Sequence, residues 1–202
     1  MSEQASPQKK SQRTLLILAA IFAIPYAAAF FLYYGDDGGA SLGTSNNGQL
    51  ISPVRTMQAM EFNQVIDGQT ISTDFAGHWT MLTMASSNCD TECTDNLYAI
   101  KQVRSAIGVE RRNVRRAMVL MEIDNIEQLL PRMTDFEGMD ILTTSEVNLV
   151  QLKQFLQHKD QNFENAVFLF DPKGNYMMYY PPSTHPKLIL KDMLLLMKVN
   201  KH

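Results

Sequence analysis

The sequence predicts an α/β domain, a mixed central sheet with helices on both faces, placed behind an N-terminal transmembrane helix. Three observations carry this reading. From about residue 53 onward, short apolar runs with strand-like alternation recur between segments of helical periodicity. Residues 14–34, TLLILAAIFAIPYAAAFFLYY, contain no charged side chain. The only two cysteines, Cys89 and Cys93, stand where an apolar strand gives way to an amphipathic helix.

The uncharged run is 21 residues long. At about 1.5 Å per helical residue it spans roughly 31 Å, the thickness of a bilayer's hydrocarbon core. Lys9, Lys10 and Arg13 precede it, and Asp36 and Asp37 follow. The positive-inside rule leaves residues 1–13 as a cytoplasmic tail and sends the remainder outward. The expectation is a single-pass inner-membrane protein with its C-terminal domain in the periplasm. Pro25 is tolerable inside such a span, because neighbouring groups re-satisfy the freed carbonyl. A cleaved signal peptide is the alternative, with small residues at 27–29 for a peptidase. The run continues through FFLYY, however, which is long for a signal core. The outward part holds 15 basic and 20 acidic residues, a formal charge of −5. That balance argues against nucleic acid as a partner.

Residues 35–52, GDDGGASLGTSNNGQLIS, are rich in Gly, Ser, Asn and Asp and read as a flexible tether. The folded domain is then 53–202. EFNQVIDGQTIST (61–73) sets Asp-Gly between two short runs and predicts a hairpin. HWTMLTMAS (78–86) predicts a buried strand, and DNLYAIKQVRSAIG aligns Leu97, Ile100, Val103 and Ile107 on one helical face before Gly108. RRAMVLMEID (115–124) predicts the next strand and NIEQLLPRM a short helical turn. MDILTTS is a further short strand, after which Ser145 caps the helix EVNLVQLKQFLQHK. NAVFLFDPKGNYMMYYPP is the clearest hairpin, and PKLILKDMLLLMKV closes the chain as a helix. Strands alternating with helices indicate a mainly parallel sheet covered on both faces, to which the late hairpin adds antiparallel strands. A cysteine pair at the end of the first central strand makes this arrangement thioredoxin-like.

With a helix beginning near Thr91, Cys89 lies at its N-terminus and Cys93 one turn inside. Four-residue spacing puts the two Cα atoms about 6 Å apart, within disulfide range. Free N–H groups and the helix dipole favour a Cys89 thiolate, while Asp90 and Glu92 oppose it. Three readings stay open: a dithiol/disulfide redox pair, a pair of soft thiolate ligands for Cu(I), and an inert disulfide. The last would close a very small loop and stabilise an already sizeable core little.

The stretch strand–CDTEC–helix, the VFLFDPKGNYMMYY hairpin and the closing helix resemble the Sco/SenC proteins. Those are membrane-tethered thioredoxin-fold factors that handle copper and thiols during cytochrome c oxidase assembly. YAIKQVRSAIG and PKLILKDMLLLMKVN also resemble a group of small proteobacterial membrane proteins assigned to the same process. The resemblance covers about residues 62–200. It implies a haem–copper oxidase subunit or a copper carrier protein as partner. It also implies Cys89 and Cys93 as the catalytic pair and as the two sulfur ligands of a copper site. The third ligand of copper-binding members is a histidine, and its position here falls at or near Phe163. The family's proline after the second cysteine is Thr94. The cis-proline that faces the cysteines in thioredoxin-like enzymes is missing too, since residues 156–166 contain no proline.

Other ligands are weighed against bland roles. His158 ends a helix, where it favours the dipole; His185 lies in a turn; His78 precedes the strand at its far end; His202 is the last residue. Met81, Met84, Met177 and Met178 read as core filler, with Met84 the one most worth checking as a ligand. ERRNVRR (110–116) reads as a solvated turn.

Overall fold

The structure, a computed structural model, describes residues 7–34 and 46–199. They fall into two units divided between Ser45 and Asn46. In the first, Pro7–Tyr34 forms one helix, α1. Among the described residues, no helix is long and apolar enough to cross a membrane. The transmembrane reading of 14–34 therefore rests on the sequence. Residues 1–6 of the expected tail, 35–45 of the expected tether and His202 lie outside the described residues.

The second unit runs β1 (Gln49–Thr56), β2 (Met60–Gln64), β3 (Thr70–Thr73), β4 (Trp79–Ala85), α2 (Thr91–Ala106), β5 (Val114–Leu120), α3 (Ile126–Met133), β6 (Asp140–Thr143), α4 (Glu146–Leu156), β7 (Val167–Phe170), β8 (Asn175–Tyr180) and α5 (Pro186–Val199). The strands form one eight-stranded sheet in the order β1-β8-β7-β4-β5-β6-β2-β3. It is mixed, as the sequence predicts, but it is not mainly parallel. Among the strand pairs only β4–β5 and β5–β6 run parallel, and the other five are antiparallel. The reason is that both hairpins join the central strands: β2–β3 extends the β6 edge and β7–β8 pairs with β4.

Strand alternation sorts the core into two layers. Trp79, Met81 and Ala85 of β4 face α2, α3 and α5, which contribute Leu97, Ile100, Val103, Leu129, Ile189 and Met193. Leu82 and Met84 face the other side, where α4 supplies Leu152 and Leu156 beside Phe62, Phe168 and Phe170. Thioredoxin-like layering follows from this period-two pattern.

Two expectations need correction. The tether predicted over 35–52 ends in a strand: residues 49–52 belong to β1, which pairs antiparallel with β8. The polar composition is overridden by Ile51, buried against the α4 side of the sheet, and by a carboxylate described next. The solvated turn at 110–116 also stops early. Residues 108–113 form a 3-10 turn, but Arg116 lies inside β5, buried, with Nη2 donating to the Glu137 carbonyl at 2.6 Å. Desolvation lowers the Arg116 pKa, since burial disfavours its charge.

Asp192, buried on α5, fixes the start of the domain. Its carboxylate accepts from the Asn47 N–H at 2.8 Å, the Asn47 Nδ2 at 2.7 Å and the Gly48 N–H at 2.8 Å. The Tyr180 hydroxyl donates to the same group at 3.3 Å. Burial, reinforced by this carboxylate, pushes the Tyr180 phenol well above its ordinary pKa and keeps it a donor. Gly48 is required for the fit, because a Cβ there would lie 2.5 Å from the Tyr180 ring. Asp192→Ala removes the acceptor that these donors share. Unfolding of the full-length protein in urea is expected to lose about 3 kcal/mol, the cost of several buried donors left unpaired. A loss below about 1 kcal/mol would contradict this role.

Candidate functional site

The site is a product of the β4-to-α2 junction. β4 is buried along its whole length, so its chain must exit at the sheet end before α2 can return along one face to start β5. Residues 86–90 make that exit. Asp90 is the N-cap of α2, with an extended backbone and Oδ1 accepting from the Cys93 N–H at 3.0 Å. Thr94 Oγ1 donates back to the Asp90 carbonyl at 2.9 Å. Deeper along α2, the buried Asn96 Nδ2 donates to Thr83 Oγ1 of β4 at 2.9 Å and fixes the helix on the sheet.

Cys89 and Cys93 are joined in a disulfide, with their Cα atoms 5.1 Å apart. The sequence expects Cys89 at the N-terminus of a helix beginning near Thr91; α2 does begin at Thr91, and Cys89 stands one residue before its cap. Its φ is +33°, a left-handed conformation that costs a residue with a Cβ about 1 kcal/mol or more. Both cysteines are packed into the core layer under α2, at 1% and 2% exposure. The sulfurs are therefore covered in this closed state.

Two contacts with the segment after β5 hold the loop down. Ser87 Oγ donates to the Asp124 carbonyl. Arg132, on α3, reaches across with its guanidinium: Nη1 donates to the Asn88 carbonyl at 3.0 Å, and Nη2 to the Cys89 carbonyl at 2.6 Å and to Thr94 Oγ1 at 3.1 Å. Sequence reading misses Arg132 because nothing around PRM marks it. Only the topology that brings α3 to this end of the sheet could have found it. Sequence reading names Asp90 only as a charge and does not identify it as the N-cap of α2.

The remaining candidates lie elsewhere. Phe163 packs against the α4-side layer, its ring 6.3 Å from that of Phe168. Met84 belongs to that same layer, on the opposite sheet face from the cysteines, whereas Met81 and Met178 share the cysteines' layer as core residues. His78 precedes β4 at the end away from Cys89, its pKa lowered by desolvation and by Arg115. His158 follows α4, and His185 is exposed beside the start of α5. Among the described residues, no group of three His, Cys, Asp or Glu is placed to hold a metal ion. Among the described residues, the two cysteines therefore have no third His, Asp or Glu ligand for copper.

Fold and site together define a thioredoxin-fold domain carrying a disulfide at a strand-to-helix junction. The chain belongs to the family described as transmembrane-like, thioredoxin-like, C-terminal domain, which matches residues 79–200. Its fold is that of the Sco/SenC proteins. The solution structure of apo Sco1 from Thermus thermophilus is similar at TM-score 0.60 and 14% identity, covering 77% of this chain and 99% of that one. Yeast Sco1 with copper bound is similar at TM-score 0.58 and 12% identity, covering 71% and 88%. BsSco, described through a disulfide switch and as a member of the Sco family of cytochrome c oxidase assembly proteins, is similar at TM-score 0.53 and 18% identity, covering 71% and 95%. No curated protein sequence matches the chain.

Asp90→Ala is expected to cost about 1 kcal/mol of unfolding free energy in the oxidised protein, the usual worth of an N-cap. Urea denaturation checks it; an unchanged midpoint would mean that the disulfide alone fixes the start of α2.

Proposed function

We propose that this chain is a membrane-anchored, periplasm-facing factor that supports assembly of cytochrome c oxidase, a haem–copper oxidase, by thiol–disulfide exchange. The observation that carries the proposal is the Cys89–Cys93 disulfide at the end of β4 in a Sco-like fold. Support for the anchor is the uncharged run at 14–34 with its preceding positive charges, and the single helix that contains it. Periplasmic placement suits a chain whose only two cysteines are oxidised.

In the reduced protein the Cys89 thiolate attacks a disulfide on an oxidase subunit or on a copper carrier protein. One partner sulfur leaves as a thiolate and a mixed disulfide forms. The Cys93 thiolate then attacks the Cys89 sulfur and releases the second partner thiol. Two electrons and two protons pass to the partner pair, and the chain ends in the disulfide form described above. The partner's copper-ligating thiols are thereby made available; the metal itself is cargo.

Cys89→Ser and Cys93→Ser are each expected to lower oxidase activity and copper content in membranes at least ~tenfold, with normal amounts of the variant protein. Normal activity in both would leave only a scaffold role, in which the fold docks a partner without chemistry. The Cu(I)-carrier reading of the same two cysteines is separated by anaerobic titration of the reduced protein. With only two thiolates available, a competing Cu(I) chelator is expected to strip the metal; retention would favour the carrier.

A further inference from the structure

A buried disulfide cannot react as it stands. Exchange needs an attacking sulfur to approach along the S–S axis, yet Cys89 and Cys93 are 1% and 2% exposed. Both sulfurs lie in the core layer, and residues 86–90 are the segment that carries Cys89 into it. The loop's own backbone provides one turn bond, from the Cys89 N–H to the Ser86 carbonyl at 3.2 Å. Asp90 ties its end to α2, and the remaining contacts come from Asp124 and Arg132, in the segment after β5.

Arg132 carries the largest share of this restraint. Its guanidinium bridges two consecutive carbonyls, Asn88 and Cys89, and a hydroxyl on α2, Thr94. The two carbonyls flank Cys89, whose φ of +33° is unfavourable for a residue with a side chain. A planar fork with several donors suits this bridging, and an ammonium does not. The contacts are all to neutral acceptors. These contacts hold a backbone shape.

We propose that Arg132 is a positioning residue for the exchange reaction: by clamping the Asn88 and Cys89 carbonyls to Thr94, it holds the loop closed over the disulfide and limits how often the sulfurs are reached. The inference rests on the redox reading of the site and adds its rate control. Release of the clamp frees Cys89 to leave its left-handed conformation, which uncovers it.

The test is reduction of the oxidised, full-length protein by dithiothreitol. One dithiothreitol thiolate attacks a sulfur of the Cys89–Cys93 bond, and the other cysteine leaves as a thiolate and is protonated. The second dithiothreitol thiol then displaces the remaining cysteine, so the protein gains two thiols and the reagent closes to a cyclic disulfide. Arg132→Ala is expected to speed reduction on the order of tenfold, the worth of its hydrogen bonds after discount for an exposed side chain. The unfolding free energy of the oxidised protein should fall only by the worth of those same bonds, and Asp192→Ala, which lowers global stability without touching the clamp, should be reduced at the wild-type rate. Arg132→Lys keeps the charge and loses the fork, and its rate is expected to fall between the two. A wild-type rate in Arg132→Ala overturns the proposal. So does an equal acceleration in Asp192→Ala, which would assign the effect to global stability, or a full return to the wild-type rate in Arg132→Lys, which would assign it to charge alone. This rate is read on purified protein with a small thiol. Normal oxidase activity in the cysteine variants would remove the cellular role and leave the clamp measurement standing.

Discussion

Parallel pairing of β4 with β5 forces the chain to cross from one end of the sheet to the other, and α2 is that crossing. Everything about the cysteine site follows from where the crossing begins. The loop must leave a fully buried strand, turn sharply and present a cap to a helix that lies flat on the sheet. Asp90 provides the cap, Asn96 locks the helix to Thr83, and the turn is completed by a left-handed Cys89. A cysteine in that conformation, four residues before another on the first helical turn, brings the Cα atoms to 5.1 Å and within reach of a disulfide. The pair is thus an outcome of the crossover geometry.

Because the second parallel pair, β5–β6, is connected through α3, a second crossover begins at the same end of the sheet. That is what places Arg132 and Asp124 beside residues 44 and 37 positions earlier in the chain. Two successive crossovers therefore divide the work of the site. The first supplies the sulfurs, and the second holds them covered. Asp192 ties residues 47–48 to α5, so the chain enters the fold at a fixed point.

Much of this was legible in the sequence because it depends on local pattern. Period-two runs gave β4, β5 and the β7–β8 hairpin, helical spacing of Leu97, Ile100 and Val103 gave α2, and Ser145 marked the start of α4. The site's position was legible for the same reason, since the cysteines lie in the junction itself. What escaped depends on contacts between distant segments. Residues 49–52 look like tether by composition, and become strand only because Ile51 finds a core and β8 offers an edge. Arg116 looks solvated beside its charged neighbours, but strand register turns it inward. Met84 differs from Met81 only by sheet face, which decides that it cannot join the cysteines. The two hairpins look local, yet their pairing partners make the sheet more antiparallel than the strand–helix alternation implies.

The central claim is that Cys89 attacks a partner and Cys93 resolves the product. Its most direct test is acid-quenched thiol trapping of cells expressing Cys93→Ser at native level. The expected result is a mixed disulfide between Cys89 and a single periplasmic protein of the oxidase assembly route, absent when Cys89 is also replaced by Ser. A Cys93→Ser protein that carries only a free Cys89 thiol, with no trapped partner while the oxidase is being assembled, would contradict it.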